Sequence, residues 1–124
     1  MRYEPKTEKE RLCPLEFGLE IFGGKWKSRI LCVLSTADIM RYTEIKKELN
    51  NITDAVLASM LKELIADEMI SRTQYNEIPP KVEYSLTEKG RSVLPILQNI
   101  CVWARQQTQA ELDKKLPPCK TCTI

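Results

Sequence analysis

Apolar positions recur at helical spacing along most of this chain and switch to strict alternation in one stretch only. Leu15, Leu19 and Phe22 predict a first helix, opened by Cys13-Pro14 and stopped by Gly23-Gly24. Trp26, Ile30, Val33 and Leu34 predict a second helix starting near Lys25, with Lys25, Lys27 and Arg29 on its charged side. Arg41-Tyr42-Thr43 reads as a very short strand ending in a helix cap, and Ile45 and Leu49 continue it as a helix of about two turns. Asn50-Asn51 signals a turn. Thr53 or Asp54 then caps a longer helix whose apolar stripe is Val56, Leu57, Met60, Leu61, Leu64 and Ile65.

A short helix, a turn and a second amphipathic helix make a helix-turn-helix pattern. The alternating stretch follows directly. Ile70 to Tyr75 alternates loosely, and Val82, Tyr84 and Leu86 alternate cleanly with Lys81, Glu83 and Ser85. Between the two runs lies Asn76-Glu77-Ile78-Pro79-Pro80. Proline cannot donate to a sheet ladder, so the pair belongs at the tip of a two-stranded hairpin. The expected fold is mainly α with a small β wing, a winged helix-turn-helix. Thr87 is expected to cap one long last helix running to about Glu111, bent at Pro95 and about 38 Å long. Val93, Leu94, Leu97, Ile100, Cys101 and Ala104 lie along it. That is more apolar helix than so small a domain needs, which points to a dimer. The expected organisation is a charged, aperiodic arm over residues 1–12, a DNA-binding and dimerisation domain over 13–112, and a mobile tail over 113–124.

Composition narrows the function classes. A length of 124 residues with 43% apolar content suits one globular domain. Lys and Arg number 19 against 17 Asp and Glu, a net charge of +2, so any basic site must come from local clustering. With no histidine, Ser-His-Asp and Cys-His catalysis and most zinc-enzyme ligand sets are excluded. No apolar run reaches the roughly 20 residues of a membrane span, and the charged N-terminus leads into no signal-peptide core. A cytoplasmic protein without cofactor or metal is expected, its five cysteines free thiols.

The segments CPLEFGLEIFGGKWKSRIL, ITDAVLASMLKEL and NEIPPKVEYSLTEKG, followed by PIL, resemble the HxlR family of bacterial winged-helix transcription regulators, relatives of MarR. The resemblance covers about residues 13–105. It implies a homodimer, joined through the first and last helices, that binds double-stranded DNA at a pseudo-palindromic operator with half-sites about one helical turn apart, or a small multiple of it. It makes the hairpin a wing along the DNA backbone, with Lys81 facing a phosphate and Arg72 and Gln74 placed to do the same. It makes residues 54–62 the recognition helix, so that Thr53, Asp54, Ala55, Ala58, Ser59 and Lys62 are candidate DNA contacts. This chain departs from its relatives in carrying Ala55, Ala58, Ser59 and Met60 where Lys, Gln and Arg are usual. None of these can make a bidentate guanine contact, which shifts the expected specificity toward the wing and DNA shape. Lys25 is the phosphate candidate in the GGKW motif. Arg41, Lys46 and Lys47 are either phosphate contacts or a solvated face. Met60 and Trp26 read as core.

Cys13 occupies a helix N-cap position, where a thiolate would face unpaired backbone N–H groups with Arg11 nearby, an arrangement that raises reactivity. Some HxlR-type regulators sense oxidants or electrophiles through a cysteine before this proline. The resemblance therefore admits Cys13 as a sensor, with Cys101 of the other subunit as its partner, alongside a purely structural Cys-Pro. Cys32 sits among Ile30, Leu31, Val33 and Leu34 and reads as core. Cys119-x-x-Cys122 has redox spacing but no βαβ context. A homodimeric transcription regulator, for which a thiol gate through Cys13 is one admitted input, is thus the leading reading. One alternative is a regulator gated by a small molecule near the dimer interface. The other is a dithiol oxidoreductase using Cys119 and Cys122, which the absence of fold context disfavours; an enzyme is not expected.

Overall fold

Residues 13–115 are described by the computed structural model, with side chains as far as Gln107. Their order is α1 (Pro14–Phe22), α2 (Lys27–Leu34), α3 (Tyr42–Leu49), α4 (Asp54–Ala66), β1 (Ile70–Tyr75), β2 (Lys81–Leu86), α5 (Glu88–Ser92) and α6 (Leu94–Lys115). The flanking arm and tail, with Arg11, Cys119 and Cys122, lie outside the described residues.

The helical periodicity converges on one core. Ile30, Leu31 and Leu34 of α2 meet Ile45 and Leu49 of α3, Leu57, Leu61 and Leu64 of α4, and Ile70 at the base of the hairpin. Trp26, Cys32 and Met60 are partly buried against this core. Each helix start shows its local cause. Pro14 opens α1, where its fixed φ is pre-organised and no N–H is missed. Thr53 Oγ1 accepts the Val56 N–H at 3.2 Å to cap α4, and Thr87 Oγ1 accepts the Gly90 N–H at 3.0 Å to cap α5. Between α3 and α4, Asn50 and Asn51 both take positive φ, 52° and 55°, a region that asparagine tolerates better than most residues.

The strands β1 and β2 pair antiparallel in the register Ile70↔Leu86, Arg72↔Tyr84 and Tyr75↔Lys81. Both strands fall where alternation placed them, and residues 71–80 are exposed throughout. The base of the hairpin is clamped to the body. Met40 and Tyr84 exchange backbone hydrogen bonds of 2.9 and 2.8 Å. A Cβ at Gly90 would collide with the Met69 carbonyl oxygen, so only glycine lets α5 approach that closely.

Four expectations need correction. The strand-like element before α3 is the isolated bridge at Met40. Arg41 is the helix N-cap, its N–H donating to Glu44 Oε1 at 2.9 Å, and Tyr42 and Thr43 are already helical. The second helix begins at Lys27, because Gly24, at φ 82°, starts a turn that runs through Trp26. Lys27 is not on a charged outer side but 94% buried. The last helix is two helices broken at Val93. Pro95 has no N–H to continue the ladder and its ring conflicts with the Arg91 carbonyl, so α6 starts afresh with Pro95 as its second residue. Val93 and Leu97 then fall inward to the core, leaving Ile96, Ile100 and Trp103 as the large exposed apolar residues among the described side chains of α6.

Candidate nucleic-acid interface

Helix α4 lies with Leu57, Leu61 and Leu64 buried, and that orientation leaves Asp54, Ala55, Ala58, Ser59 and Lys62 outward. Beside it runs β1. In the pleat Arg72 and Gln74 share the face of Tyr84 and Val82, while Lys81 shares the opposite face with Tyr75 and Glu83. A groove of about 250 Å³ opens between helix and wing, floored by Leu61, Ile65 and Tyr84 and flanked by Lys62, Arg72 and the Tyr42 ring. Two cations, one from α4 and one from β1, thus border a single concave surface beside the small residue Ala58.

The expected wing contacts therefore separate. Arg72 stands on the groove side, with Nη1 donating to Gln74 Oε1 at 3.3 Å. Lys81 is turned away from the groove; its Nζ lies 3.7 Å from Glu83 Oε2 and 4.8 Å from the centre of the Tyr75 ring. The Glu83 carboxylate also accepts from the Tyr75 hydroxyl and pushes that phenol's pKa up.

Asp54, at the first position of α4, is committed to the neighbouring helix. Its Oδ1 accepts from Tyr42 Oη at 2.8 Å and from Lys46 Nζ at 2.8 Å. The Lys46 hydrogen bond, followed by that from Tyr42, holds the Asp54 carboxyl below the usual carboxylate range. Partial burial, then the Asp54 carboxylate, pushes the Tyr42 phenol up to about 12. This three-residue clasp ties α3 to α4 and neutralises a surface acid locally. Thr53 is occupied as the α4 cap. Arg41 at the α3 N-cap and Lys47 on α3 remain exposed.

At the opposite end of α3, Arg29 Nη2 donates to the Leu49 carbonyl at 3.2 Å, satisfying one of the last carbonyls of that helix. Lys25 Nζ and the Arg29 guanidinium stand 4.8 and 5.2 Å from the Trp26 ring centre. Lys25 is exposed, so its charge is available to a phosphate while its stem covers the indole.

Sequence patterning missed Lys27. Its Nζ donates to Glu63 Oε1 at 3.1 Å and to the Glu20 carbonyl at 3.1 Å. One buried ammonium thus joins α1 and α2 to the inner side of α4. The two partners are 36 residues apart, a separation that no periodicity signals. Tyr42 was legible only as part of a short strand and Tyr84 only as an alternating strand position, although one carries the clasp hydroxyl and the other floors the groove.

The cysteines fall on different elements. Cys13 is exposed at the α1 N-cap, with no side-chain capping bond. Cys101 is half-buried on α6. Among the described residues no helix is long and apolar enough to cross a membrane.

Residues 21–112 match the family described as HxlR-like helix-turn-helix. An HTH-type transcriptional regulator of Halalkalibacterium halodurans is 42% identical over 101 residues, spanning 82% of this chain and 89% of that protein. Among solved structures, the redox regulator HypR in its oxidised form is 39% identical with a TM-score of 0.70, covering 76% of this chain and 96% of that one. The reduced form of the transcriptional regulator YodB from Bacillus subtilis is 33% identical with a TM-score of 0.69, covering 80% and 97%.

Proposed function

The chain belongs to the HxlR-like helix-turn-helix family of transcriptional regulators, and from that membership we propose that residues 13–112 act as a homodimeric, sequence-specific DNA-binding unit in the cytoplasm. The observation that carries this reading is the single concave surface bordered by Lys62 of α4 and Arg72 of β1. Ala55, Ala58 and Ser59 enter the major groove, and Lys62, Arg72 and Lys25 meet phosphates on either side. Gln74 extends the Arg72 face. Arg41 adds a phosphate contact at the start of α3. Lys81 contributes only if its Glu83 pairing opens, and Asp54 and Thr53 act by positioning α4.

Dimerisation rests on surplus apolar surface. Leu15, Phe17 and Leu19 of α1 and Ile96, Ile100 and Trp103 of α6 are all about half exposed or more. Six large apolar side chains on two helices exceed what scattered surface residues account for. Two copies joined there would present two α4 helices to a pseudo-palindrome with half-sites about 10 base pairs apart, or a multiple of it. Footprinting and mobility shift on the protein's own upstream DNA test this. A paired, symmetric footprint bound by a dimer is expected; a lone half-site bound by a monomer overturns it.

A thiol gate is the reading of the regulatory input, supported by the exposed N-cap thiol of Cys13 and by the redox regulator HypR among the structural relatives. Cys13 of one subunit and Cys101 of the other would each lose a proton and together two electrons to an oxidant such as diamide, forming one S–S bond and the reduced hydrazine. A disulfide needs Cα atoms within about 7 Å, so its formation would draw α1 and α6 together and alter the spacing of the two α4 helices. After diamide, the wild type should run as a crosslinked dimer without reductant and lose its shift. If Cys13→Ser responds identically, the gate is refuted; if only Cys101→Ser still crosslinks, another thiol is the partner.

A further inference from the structure

Two polar ties hold α4, one near each end. At its start, Asp54 Oδ1 accepts from Tyr42 Oη and Lys46 Nζ of α3, both at 2.8 Å. In its last turn, Glu63 Oε1 accepts from Lys27 Nζ at 3.1 Å. The same buried ammonium donates to the Glu20 carbonyl in the last turn of α1, also at 3.1 Å. The second tie therefore reaches past α2 to α1. Helix α1 has little other hold on the body. Ile21 is its one buried residue and Phe22 packs partly against the core, while Leu15, Phe17 and Leu19 are exposed. Leu57, Leu61 and Leu64 seat α4 in the core, but apolar contacts are non-directional and let a helix slide or turn by small amounts. A hydrogen bond constrains both distance and angle.

We propose that Lys27 is a positioning residue for DNA reading: its two bonds make the place of α1 set the orientation of α4, and hence the separation of the two α4 helices in a dimer joined at α1. The inference rests on the homodimeric DNA-binding reading above. A buried ion pair adds little net stability over apolar residues of similar volume, so geometry is what this pair supplies and a methionine–leucine pair cannot. The pair lies where that geometry counts. Glu63 is next to Lys62 and one helical turn from Ser59, so a displacement of its carboxylate passes directly to two outward residues of α4. Asp54 is the first fixed point of the helix and Glu63 the second, and two points orient a rod where one only tethers it. Of the two, it is Glu63 that refers α4 to α1, the helix whose exposed apolar face the dimer would bury.

The experiment separates positioning from stability by changing the distance between half-sites. Affinities are measured by fluorescence anisotropy on the footprinted operator, on the same operator with one base pair added or removed between its half-sites, and on an unrelated duplex. The proteins are wild type, Glu63→Gln and the double variant Lys27→Met, Glu63→Leu, with melting curves and sedimentation for each. Wild type should lose about tenfold or more on altered spacing, the scale of one misread base pair. Glu63→Gln keeps an acceptor oxygen for the ammonium and should keep that discrimination. The double variant should melt near wild type, dimerise alike and bind unrelated DNA with an unchanged salt slope. It should nevertheless bind the native operator about tenfold more weakly and lose its spacing preference. Should it not fold, Glu63→Leu alone, which unties α4 at a half-exposed position and leaves Lys27 on the Glu20 carbonyl, should show the same loss of preference. The proposal is overturned if the variant that unties α4 discriminates spacing as wild type does, if Glu63→Gln loses the preference as fully, or if dimeric wild type is indifferent to spacing. If wild type binds no upstream fragment, or binds one half-site as a monomer, the reading beneath this inference fails and the inference with it; wild type alone reveals that outcome, so the two failures are distinct.

Discussion

Truncating Lys27 to alanine removes the ammonium that ties three helices together, and the structure fixes the scale of the loss. Lys27 is 94% buried, and its Nζ makes two bonds of 3.1 Å, to Glu63 Oε1 and to the Glu20 carbonyl. Breaking a fully buried pair by removing one partner costs about 3–5 kcal/mol, because the other charge stays desolvated. The Glu63 side chain retains 26% exposure, so water reaches it in part and the lower end applies, about 3 kcal/mol including the lost stem packing. For a domain between the small and medium size classes each kcal/mol moves Tm by about 4 °C, so Lys27→Ala should melt about 12 °C lower at equal protein concentration. The double replacement Lys27→Met, Glu63→Leu removes both charges together and should recover most of that stability. The assay is thermal unfolding followed by circular dichroism, paired with operator binding. Should Lys27→Ala melt within 3 °C of wild type, the pair would not be stabilising, and the assignment of α4 placement to it would be wrong. A stable double variant that has lost operator selectivity would show the pair setting the α4 position beyond holding the fold.

Three further outcomes test other parts of the structure. Arg72→Ala should weaken binding to all DNA sequences alike and reduce the magnitude of the log K against log salt slope by about 0.9, measured by salt titration; a changed base preference with an intact slope would contradict a phosphate role. The depressed Asp54 pKa means the folded state binds its proton less readily than the unfolded one. The stability difference between wild type and Asp54→Asn should therefore be present above about pH 4 and vanish as pH falls through the folded value. Tyr42 has the opposite sign: its phenol keeps its proton to about 12, so its contribution holds below about pH 10 and is lost as pH rises from there through 12. If α6 forms the proposed dimer interface, Trp103→Glu should raise the dimer dissociation constant by about a hundredfold or more in sedimentation, since each copy would set a carboxylate in place of the exposed indole that the interface would cover.

The elements that sequence patterning located well are those whose signal is local. The hairpin strands were legible because Val82, Tyr84 and Leu86 alternate and Pro79-Pro80 can stand only at a tip. The α4 stripe was legible because burial at 3.6-residue spacing leaves few alternatives. What escaped is non-local. The outward face assigned to Lys27 was a reasonable inference from its charge, yet the residue is held inside by a carboxylate 36 positions away and a carbonyl on the preceding helix. The break at Val93 was half legible. Pro95 announced a disruption, but a bend and a restart differ only in whether the next turn rejoins the ladder, and packing of Val93 and Leu97 into the core decides that.

The same distinction explains why the placement of the candidate residues could not be read from the sequence. Strand alternation alone puts Arg72 and Gln74 on one face, but which face meets α4 depends on the register Arg72↔Tyr84 and on how Tyr84 bridges to Met40. Once that register is set, Lys81 falls on the far side, where Glu83 and Tyr75 engage it. A chain with a net charge of only +2 cannot rely on a general positive field to find DNA. Its cations must be unpaired at the groove and its acids neutralised there. Arg72 and Lys62 meet the first condition by position, and the Tyr42–Asp54–Lys46 clasp meets the second. The clasp withdraws Lys46 from phosphate in order to neutralise Asp54, and Glu83 does the same to Lys81. Affinity then rests on few phosphate contacts. In the proposed reading, discrimination then rests on the small outward residues of α4, Ala55, Ala58 and Ser59, and on DNA shape.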